Sequence, residues 1–136
     1  MVFLDANVLV YYLDETADNF KQTIDKVQKL VDSQEQLLTS HHVIEEVLHV
    51  FSKAMPEANL VDVVTRIAKL PSLILVEPSP NIDFAKRYAG LSKELKAGVN
   101  DSLILQLMLD AGIRRIFSYD KVLIKQAKFL GIEQVT

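Results

Sequence analysis

The stretch Val2-Phe3-Leu4-Asp5-Ala6-Asn7-Val8-Leu9-Val10-Tyr11-Tyr12-Leu13 decides the fold class. Its first three residues, Val2–Leu4, form a short apolar run that predicts a strand, and Ala6–Leu13 is expected to be a short helix. An acid, Asp5, lies between the two. In an open parallel sheet, ligands bind beyond the carboxyl ends of the strands, so an acid in this position is a candidate site residue.

The same alternation of short strands and helices continues along the chain. The predicted helices are Ala6–Leu13, Ala17–Ser33, His41–Ala54, Ala58–Leu70, Ile82–Leu95, Asp101–Ala111 and Lys121–Leu130. The predicted strands are Val2–Leu4, Leu37–Thr39, Leu73–Val76, Arg115–Phe117 and Gln134–Val135. This alternation predicts an α/β fold of three layers, with a central parallel sheet of about four or five short strands flanked by helices. In the helix Ile82–Leu95, we expect Ile82, Ala85, Tyr88 and Ala89 to face inward.

Length and composition are those of a small globular protein. The chain has 136 residues, which predicts a single domain over residues 1–136. It contains no cysteine, which excludes disulfides and thiolate metal sites. No apolar run is long enough for a membrane span, and the N-terminus has no basic region typical of a signal peptide. We therefore expect a cytoplasmic protein that does not contact a membrane.

Charge is distributed unevenly. The net charge is −3, whereas a simple nucleic-acid-binding module is usually basic. Residues 1–80 hold 6 Lys/Arg and 12 Asp/Glu, and residues 81–136 hold 9 Lys/Arg and 6 Asp/Glu. The second part can meet phosphates directly. The first part would need bound divalent cations to cancel its carboxylates.

Three aspartates stand where a sheet of this class binds ligands. Asp5 and Asp120 each follow a predicted strand, and Asp101 opens a predicted helix. Asp is also a preferred helix cap, so capping alone would account for each of them taken singly. Taken together, three acids at one edge of a sheet would repel each other unless cations compensate.

A fourth acid comes from the helix His41–Ala54. Its apolar arc runs over Val43, Ile44, Val47, Leu48, Val50 and Phe51. Glu45 and Glu46 both lie outside this arc, and periodicity does not choose between them. A solvated pair of glutamates is the alternative interpretation.

Four segments, in this order, resemble the motifs of the PIN domain family, and in particular its VapC-type toxin ribonucleases. Phe3-Leu-Asp-Ala-Asn-Val-Leu-Val-Tyr-Tyr12 resembles the first motif, and Ser40-His-His-Val-Ile-Glu-Glu-Val-Leu-His-Val-Phe51 the second. Val99-Asn-Asp-Ser-Leu-Ile-Leu-Gln-Leu-Met-Leu-Asp-Ala-Gly112 resembles the third, and Ile116-Phe-Ser-Tyr-Asp-Lys-Val-Leu123 the fourth. The resemblance covers nearly the whole chain. It selects Glu46, not Glu45, and places the acids of the site at Asp5, Glu46, Asp101 and Asp120.

The resemblance implies an endoribonuclease that needs Mg²⁺ or Mn²⁺, ions that prefer hard oxygen ligands. Our hypothesis is that Asp5 and Asp101 hold the main ion, while Glu46 and Asp120 complete the site through water or a second ion. Asn7 and Ser118 would orient ligands or waters. A hydrogen bond at the helix start and a helix cap are the alternatives for these two residues.

Partners follow from the same resemblance. It implies an RNA substrate cut to leave a 5′-phosphate, a small antitoxin that covers the groove, and a homodimer. The chain would then be the toxin of a type II toxin–antitoxin pair. Candidate contacts to the RNA backbone are Lys86, Arg87, Lys93, Lys96, Arg114, Arg115 and Lys121, for which plain surface charge is the alternative.

Other functions compete with this one. A phosphatase of the haloacid dehalogenase type also begins with a strand and an Asp, but it needs a second Asp two residues on, where this chain has Asn7. His42, Glu46 and His49 share a helix face and could bind a transition metal, although no His-Glu-x-x-His motif is present. A catalytically silent PIN-like binding module, whose acids are only caps, is the non-enzymatic alternative.

Overall fold

The structure is a computed structural model that describes residues 1–135; Thr136, the last residue of the predicted domain, lies outside the described residues. Within residues 1–135 there are five strands, β1 (Val2–Leu4), β2 (Leu37–Thr39), β3 (Ile74–Leu75), β4 (Arg115–Phe117) and β5 (Glu133–Gln134). The helices of this region are α1 (Ala6–Leu13), α2 (Phe20–Asp32), α3 (His41–Ala54), α4 (Leu60–Ala68), α5 (Ile82–Leu95), α6 (Val99–Ala111) and α7 (Lys121–Phe129).

All the strands pair in parallel, in the order β3-β2-β1-β4-β5. Helices flank this sheet, so the predicted α/β class with a central parallel sheet is confirmed. Parallel strands need crossover connections, which here are the helices between successive strands. Both faces of such a sheet are covered, and the central strand β1 is accordingly apolar and buried at all three positions.

The connection order creates a switch point at the centre of the sheet. From β1 the chain moves outward through β2 to β3, and then returns to place β4 and β5 on the other side of β1. The carboxyl ends of β1 and β4 therefore meet where the winding direction reverses, which is where ligands bind in open parallel sheets. The backbone N–H of Asp5 donates to the carbonyl of Phe117 at 3.1 Å and fixes this junction.

Helix packing buries a core on both sides of the central strands. α1 packs against α2, α3 and α4, and α5 packs against α6. The largest fully buried side chains include Phe3, Leu9, Leu105 and Phe117. Within residues 1–135, none of the helices combines the length and the apolar content that crossing a bilayer requires.

Several element boundaries differ from the predicted ones. α4 begins at Leu60, not Ala58, because the side chain of Asn59 accepts hydrogen bonds from the N–H groups of Val61 and Asp62 and so caps the helix. α6 begins two residues earlier than predicted, at Val99. The remaining shifts, at α2, β3, α7 and β5, are of one to three residues.

The predicted inward face of α5 is confirmed for Tyr88, which packs against the core, and Ala85 is partly buried, but the prediction is wrong for Ile82 and Ala89. Ile82 is 70% exposed and Ala89 is exposed, whereas Phe84 and Leu91 are buried. Apolar residues occur around much of this helix, so its periodicity did not define one face. β3 also departs from expectation, because its apolar side chains, Ile74 and Leu75, are exposed at the edge of the sheet.

Candidate active site

The four predicted acids line one cavity of about 350 Å³ at the carboxyl ends of the central strands. The residues around it are Asp5, Ala6, Asn7, Val10, Tyr11, Glu46, Val50, Asp101, Ile104 and Asp120. The acids come from four separate parts of the chain, so the fold is what brings them together. No basic side chain lines the cavity.

Asp5 is buried and fully engaged. It caps α1, with Oδ1 accepting from the N–H of Ala6 at 2.8 Å, while Oδ2 accepts from the hydroxyl of Ser118 at 2.7 Å. Capping is therefore real for this residue, but it occupies one carboxylate oxygen only. The other oxygen is held by a side chain 113 positions away in the sequence.

Ser118 and Asn7 join the turn after β1 to the turn after β4. Ser118 is buried, and its Oγ accepts from the N–H of Asp120 at 3.0 Å while it donates to Asp5. Asn7 accepts the N–H of Tyr119 through Oδ1 at 3.1 Å, and its Nδ2 lies 3.5 Å from Ser118 Oγ. Both side chains therefore connect the two turns. A hydrogen bond at a helix start or a helix cap, the alternatives considered for these residues, would not make this connection.

Asp120 uses one oxygen to cap α7. Its Oδ1 accepts from the N–H groups of Val122 and Leu123 at 2.9 and 3.2 Å. Within the described residues, no hydrogen bond reaches Oδ2 of Asp120. One oxygen of this carboxylate is therefore available to a ligand in the cavity that Asp120 lines.

Asp101 is not a helix cap. It is the third residue of α6, whose N-cap is Gly98 without a side-chain hydrogen bond. Over residues 1–135 the carboxylate of Asp101 takes part in no hydrogen bond or ion pair. Its place in the first turn favours a negative charge through the helix dipole, but the carboxylate itself stays open to the cavity.

The structure separates Glu46 from Glu45, which periodicity could not. Glu46 lines the cavity with a side chain 31% exposed, whereas the side chain of Glu45 is 71% exposed and pairs with His49 at 3.6 Å. Glu46 Oε1 lies 3.5 Å from Nε2 of His42. The predicted histidine face is thus divided, with His42 beside Glu46 and His49 beside Glu45.

The acids of the cavity act on one another. Burial raises the pKa of Asp5, which the hydrogen bonds from Ser118 and Ala6 oppose and the charge of Asp120 reinforces. Burial also raises the pKa of Glu46, with further raising by the charges of Asp5 and Asp101 and opposition from His42. The pKa of Asp101 is raised by burial and then by the charges of Asp120 and Asp5. Burial, and then the charge of neighbouring acids, thus opposes ionisation of all three carboxylates, although Ser118, Ala6 and His42 offset part of the effect at Asp5 and Glu46.

These residues fit a hard divalent cation by their chemistry. The donors are carboxylate oxygens, no basic side chain of residues 1–135 lines the cavity, and the pKa values of Asp5, Glu46 and Asp101 are raised by burial and then by the charges of the neighbouring acids. Across residues 1–135, however, no three acidic or histidine side chains stand together in a group ready to ligate one ion. Mg²⁺ usually keeps several waters and takes one or two carboxylates directly, so a bound ion of this kind would not require such a group.

The cavity also contains residues that the sequence analysis did not select, among them Val10, Tyr11, Val50 and Ile104. Val10 and Tyr11 stand three and four positions after Asn7 on α1, the spacing of residues on one helical face. That spacing was visible in the sequence once Asn7 had been placed in the site.

Of the predicted RNA contacts, two arginines are already engaged by acids. Arg87 pairs with Asp110 at 2.6 Å, and Arg115 pairs with Glu35. Lys121 directly follows Asp120 and lines, with Lys125, a second cavity of about 860 Å³ between the end of α5 and α7. The lysine nearest in sequence to the candidate acids therefore lines this second cavity and not the one that the acids line.

A sequence profile of the PIN domain family matches residues 2–129. The chain belongs to the PIN domain family. Proteins with solved structures share this PIN fold over nearly their whole length. The VapC20 toxin of Mycobacterium tuberculosis, described as cleaving the sarcin–ricin loop, superimposes with a TM-score of 0.72 at 15% identity, covering 99% of this chain and 98% of that one.

Two VapBC structures also share the fold. VapBC2 of Rickettsia felis, bound to a DNA fragment from its promoter, gives a TM-score of 0.67 at 17% identity, covering 99% of this chain and 98% of that one. VapBC-1 of nontypeable Haemophilus influenzae gives 0.64 at 14% identity, covering 99% and 97%. No curated protein matches the sequence significantly. At these identities the likeness concerns the fold.

Proposed function

We propose that this PIN domain is a metal-dependent endoribonuclease and the toxin of a type II toxin–antitoxin pair. The observation that carries the proposal is the single cavity into which the fold brings Asp5, Glu46, Asp101 and Asp120. Family membership and the VapC fold support it, because the proteins with this fold include a toxin that cleaves an RNA loop and toxins solved with their VapB partners.

Asp5 and Asp101 would hold the main Mg²⁺ or Mn²⁺ ion. Asp5 is rigid, since both of its oxygens are hydrogen-bonded, and Asp101 is free to approach it. When bound, a divalent ion makes a water more acidic and relieves negative charge on the phosphate. Asp120, through its free oxygen, would hold a water or a second ion.

The protein side chains would accept the proton of the attacking water, orient the metal ligand Asp5 and contact the RNA backbone. A carboxylate oxygen of Glu46 accepts a proton from the attacking water, a role favoured by its raised pKa. The water oxygen bonds to phosphorus while the bond from phosphorus to O3′ breaks, and the departing oxygen takes a proton from solvent, which leaves a 3′-hydroxyl and a 5′-phosphate while Glu46 returns its proton to solvent. Ser118 keeps Asp5 oriented throughout, because its hydroxyl hydrogen is committed to Oδ2. Lys121 and Lys125 would contact the RNA backbone beyond the acids.

The direct test is cleavage of a mixed RNA substrate by the purified protein in Mg²⁺ or Mn²⁺, and in EDTA. We expect cleavage only with metal, and none from the Asp5→Ala, Asp101→Ala double variant. Activity that survives this double substitution would overturn the site. Release of phosphate from a generic phosphomonoester would favour a phosphatase. Absence of Mn²⁺ binding at millimolar concentration, by isothermal titration, would favour a silent binding module.

The antitoxin and the homodimer belong to the same proposal. An antitoxin segment would cover the cavity, and addition of the cognate antitoxin should suppress cleavage at equimolar ratio. The oligomeric state can be measured by light scattering.

A further inference from the structure

The cavity is chemically divided. Metal binding accounts for its carboxylates, but its remaining wall is formed by the apolar side chains of Val10, Val50 and Ile104 and by the ring of Tyr11. An apolar wall offers no hydrogen bond to a hydrated ion or to a phosphate. Ile104 belongs to the hydrophobic core and Val10 packs against it, so Val50 and the ring of Tyr11 are the members of this wall that core packing leaves for a ligand.

Tyr11 is placed next to the acids by the geometry of α1. Asp5 caps this helix, and Asn7, Val10 and Tyr11 follow on one face. At about 1.5 Å per residue, Tyr11 stands about 9 Å along the helix axis from Asp5. A phosphate held at the acids would therefore have its neighbouring base within reach of the ring.

The ring of Tyr11 is supported from one side. Its centroid lies 5.5 Å from that of Tyr119, at an interplanar angle of 54°. Tyr119 is itself fixed, since its hydroxyl shares a 2.8 Å hydrogen bond with the buried Thr23 and its ring packs on Phe117 at 5.4 Å. A ring held in advance loses little conformational freedom when a ligand stacks on it.

The neighbouring Tyr12 shows what a structural tyrosine looks like on this helix. Tyr12 packs against the hydrophobic core, whereas Tyr11 is half-buried, is not part of that packing and lines the cavity. Core packing accounts for Tyr12, whereas the ring of Tyr11 rests on Tyr119 and also lines the cavity.

We propose that Tyr11 forms a stacking subsite for an unpaired nucleobase next to the scissile phosphate. Every base presents a π-face, so the subsite accepts any of the four bases but requires that the base be free of its duplex. This inference rests on the proposed ribonuclease function and adds to it a residue that would contact the base beside the scissile phosphate.

The test compares Tyr11→Leu, Tyr11→Phe and the unaltered protein on single-stranded RNA oligonucleotides that are intact or carry one abasic position. Affinity is measured by fluorescence anisotropy in Ca²⁺, a hard cation that oxygen ligands bind. We expect Tyr11→Leu to weaken binding of intact RNA about tenfold and Tyr11→Phe less than about threefold. For one placement of the abasic position, the unaltered protein should bind about tenfold more weakly than it binds intact RNA. With that same oligonucleotide, Tyr11→Leu should bind no more weakly than the unaltered protein.

Equal affinity of Tyr11→Leu and the unaltered protein for intact RNA would overturn the inference. It would also be overturned if the loss of affinity caused by Tyr11→Leu and the loss caused by the missing base multiplied at every abasic position. Mn²⁺ titration should be unchanged in Tyr11→Leu, and this variant should stay folded at the temperature of the binding assay, although loss of the ring contact with Tyr119 lowers its melting temperature slightly. A change in Mn²⁺ affinity, or unfolding at the assay temperature, would assign Tyr11 to metal binding or folding instead. Because binding is measured apart from cleavage, the result stands separately from the proposed function. If the protein cleaved no RNA, the proposed function would be wrong, but the binding measurement on Tyr11 would remain valid.

Discussion

The hydroxyl of Ser118 donates a 2.7 Å hydrogen bond to Oδ2 of Asp5, across 113 positions of sequence. Ser118 is buried and receives the N–H of Asp120 on the same oxygen, so its one proton is directed at Asp5. A single side chain thus fixes the orientation of one proposed metal ligand and the backbone position of another. Small polar residues around a metal site act in this way.

We expect Ser118→Ala to weaken Mn²⁺ binding and RNA cleavage by about 10–100-fold. Loss of the hydrogen bond frees Asp5 to rotate and removes an interaction that lowers its pKa. Ser118→Thr is the matched control, because it keeps the hydroxyl, and we expect it to retain most of the activity. Isothermal titration and cleavage rates provide the measurement. Equal loss in both variants would point to packing and not to the hydroxyl.

A second prediction distinguishes Glu46 from Glu45. Glu46→Gln should reduce kcat by at least about 100-fold, since proton transfer by a positioned side chain commonly contributes that much. Glu45→Gln changes the adjacent residue of the same helix, whose side chain is 71% exposed, and should leave the cleavage rate within about twofold. Comparable losses in the two variants would show that the second motif had been assigned to the wrong glutamate, or to neither.

The sequence predicted much of the fold because its local signals agreed. Val2–Leu4 gave an uninterrupted apolar run for a strand buried on both faces, and Asp5 after it could be placed at the sheet edge without any tertiary information. Glu46 was different. Its choice over Glu45 depended on which side of α3 the acids of other elements approach, and that is a tertiary fact that helical periodicity does not contain.

The same limit explains the misassigned surfaces. Ile82 was expected inside, yet α5 packs on α6 through a different face and leaves it 70% exposed. Leu73–Val76 was predicted as a strand without a position in the sheet; β3 occupies an edge, where its apolar side chains Ile74 and Leu75 remain exposed. The apolar wall with Tyr11 was missed for a related reason: its members contact the acids only after α1 and α3 pack together.

A third prediction concerns the helix position of Asp101. Asp101 and Asp62 are each the third residue of a helix, in α6 and α4 respectively, so both interact with a helix dipole. Asp101→Asn should abolish detectable Mn²⁺ binding yet raise the melting temperature of the metal-free protein, because it relieves repulsion by Asp5 and Asp120. Asp62→Asn, at an exposed position, should slightly lower that temperature and leave metal binding unchanged. A fall in stability for both variants would reduce Asp101 to a dipole-stabilising residue.

The dependence of stability on pH provides a fourth prediction. In the folded metal-free protein the pKa values of Asp5, Glu46 and Asp101 lie above their ordinary values, whereas in the unfolded chain they return to about 4. Between pH about 4 and the raised pKa values, the folded state therefore binds more protons than the unfolded chain. The stabilising contribution of the three groups is complete below pH about 4 and is lost as pH rises through the raised values.

Other acids of the chain have lowered pKa values and affect stability in the opposite direction. The contribution of Asp101 is therefore measured as the difference between Asp101→Asn and the unaltered protein. Arg87 and Gln106 hold the pKa of Asp110 below its usual value, for example, which stabilises the fold as pH rises. The melting temperature of Asp101→Asn minus that of the unaltered protein should thus grow between pH 4 and 7 in EDTA. A difference that stays constant over this range would contradict the raised pKa of Asp101.

Metal addition should offset the loss of stability that ionisation of the cavity acids causes near pH 7. A ligand that binds only the folded protein stabilises it by about 2.7 kcal/mol when present at one hundred times its Kd. For a domain of this size we expect Mn²⁺ or Mg²⁺ at that ratio to raise the melting temperature at pH 7 by about 5–10 °C. The increase should vanish in Asp101→Asn, and it should shrink at pH 4, where protons compete for the carboxylates. Differential scanning calorimetry with and without EDTA measures both. A metal-induced increase of equal size in Asp101→Asn would place the ion elsewhere on the protein, outside the cavity that the four acids line.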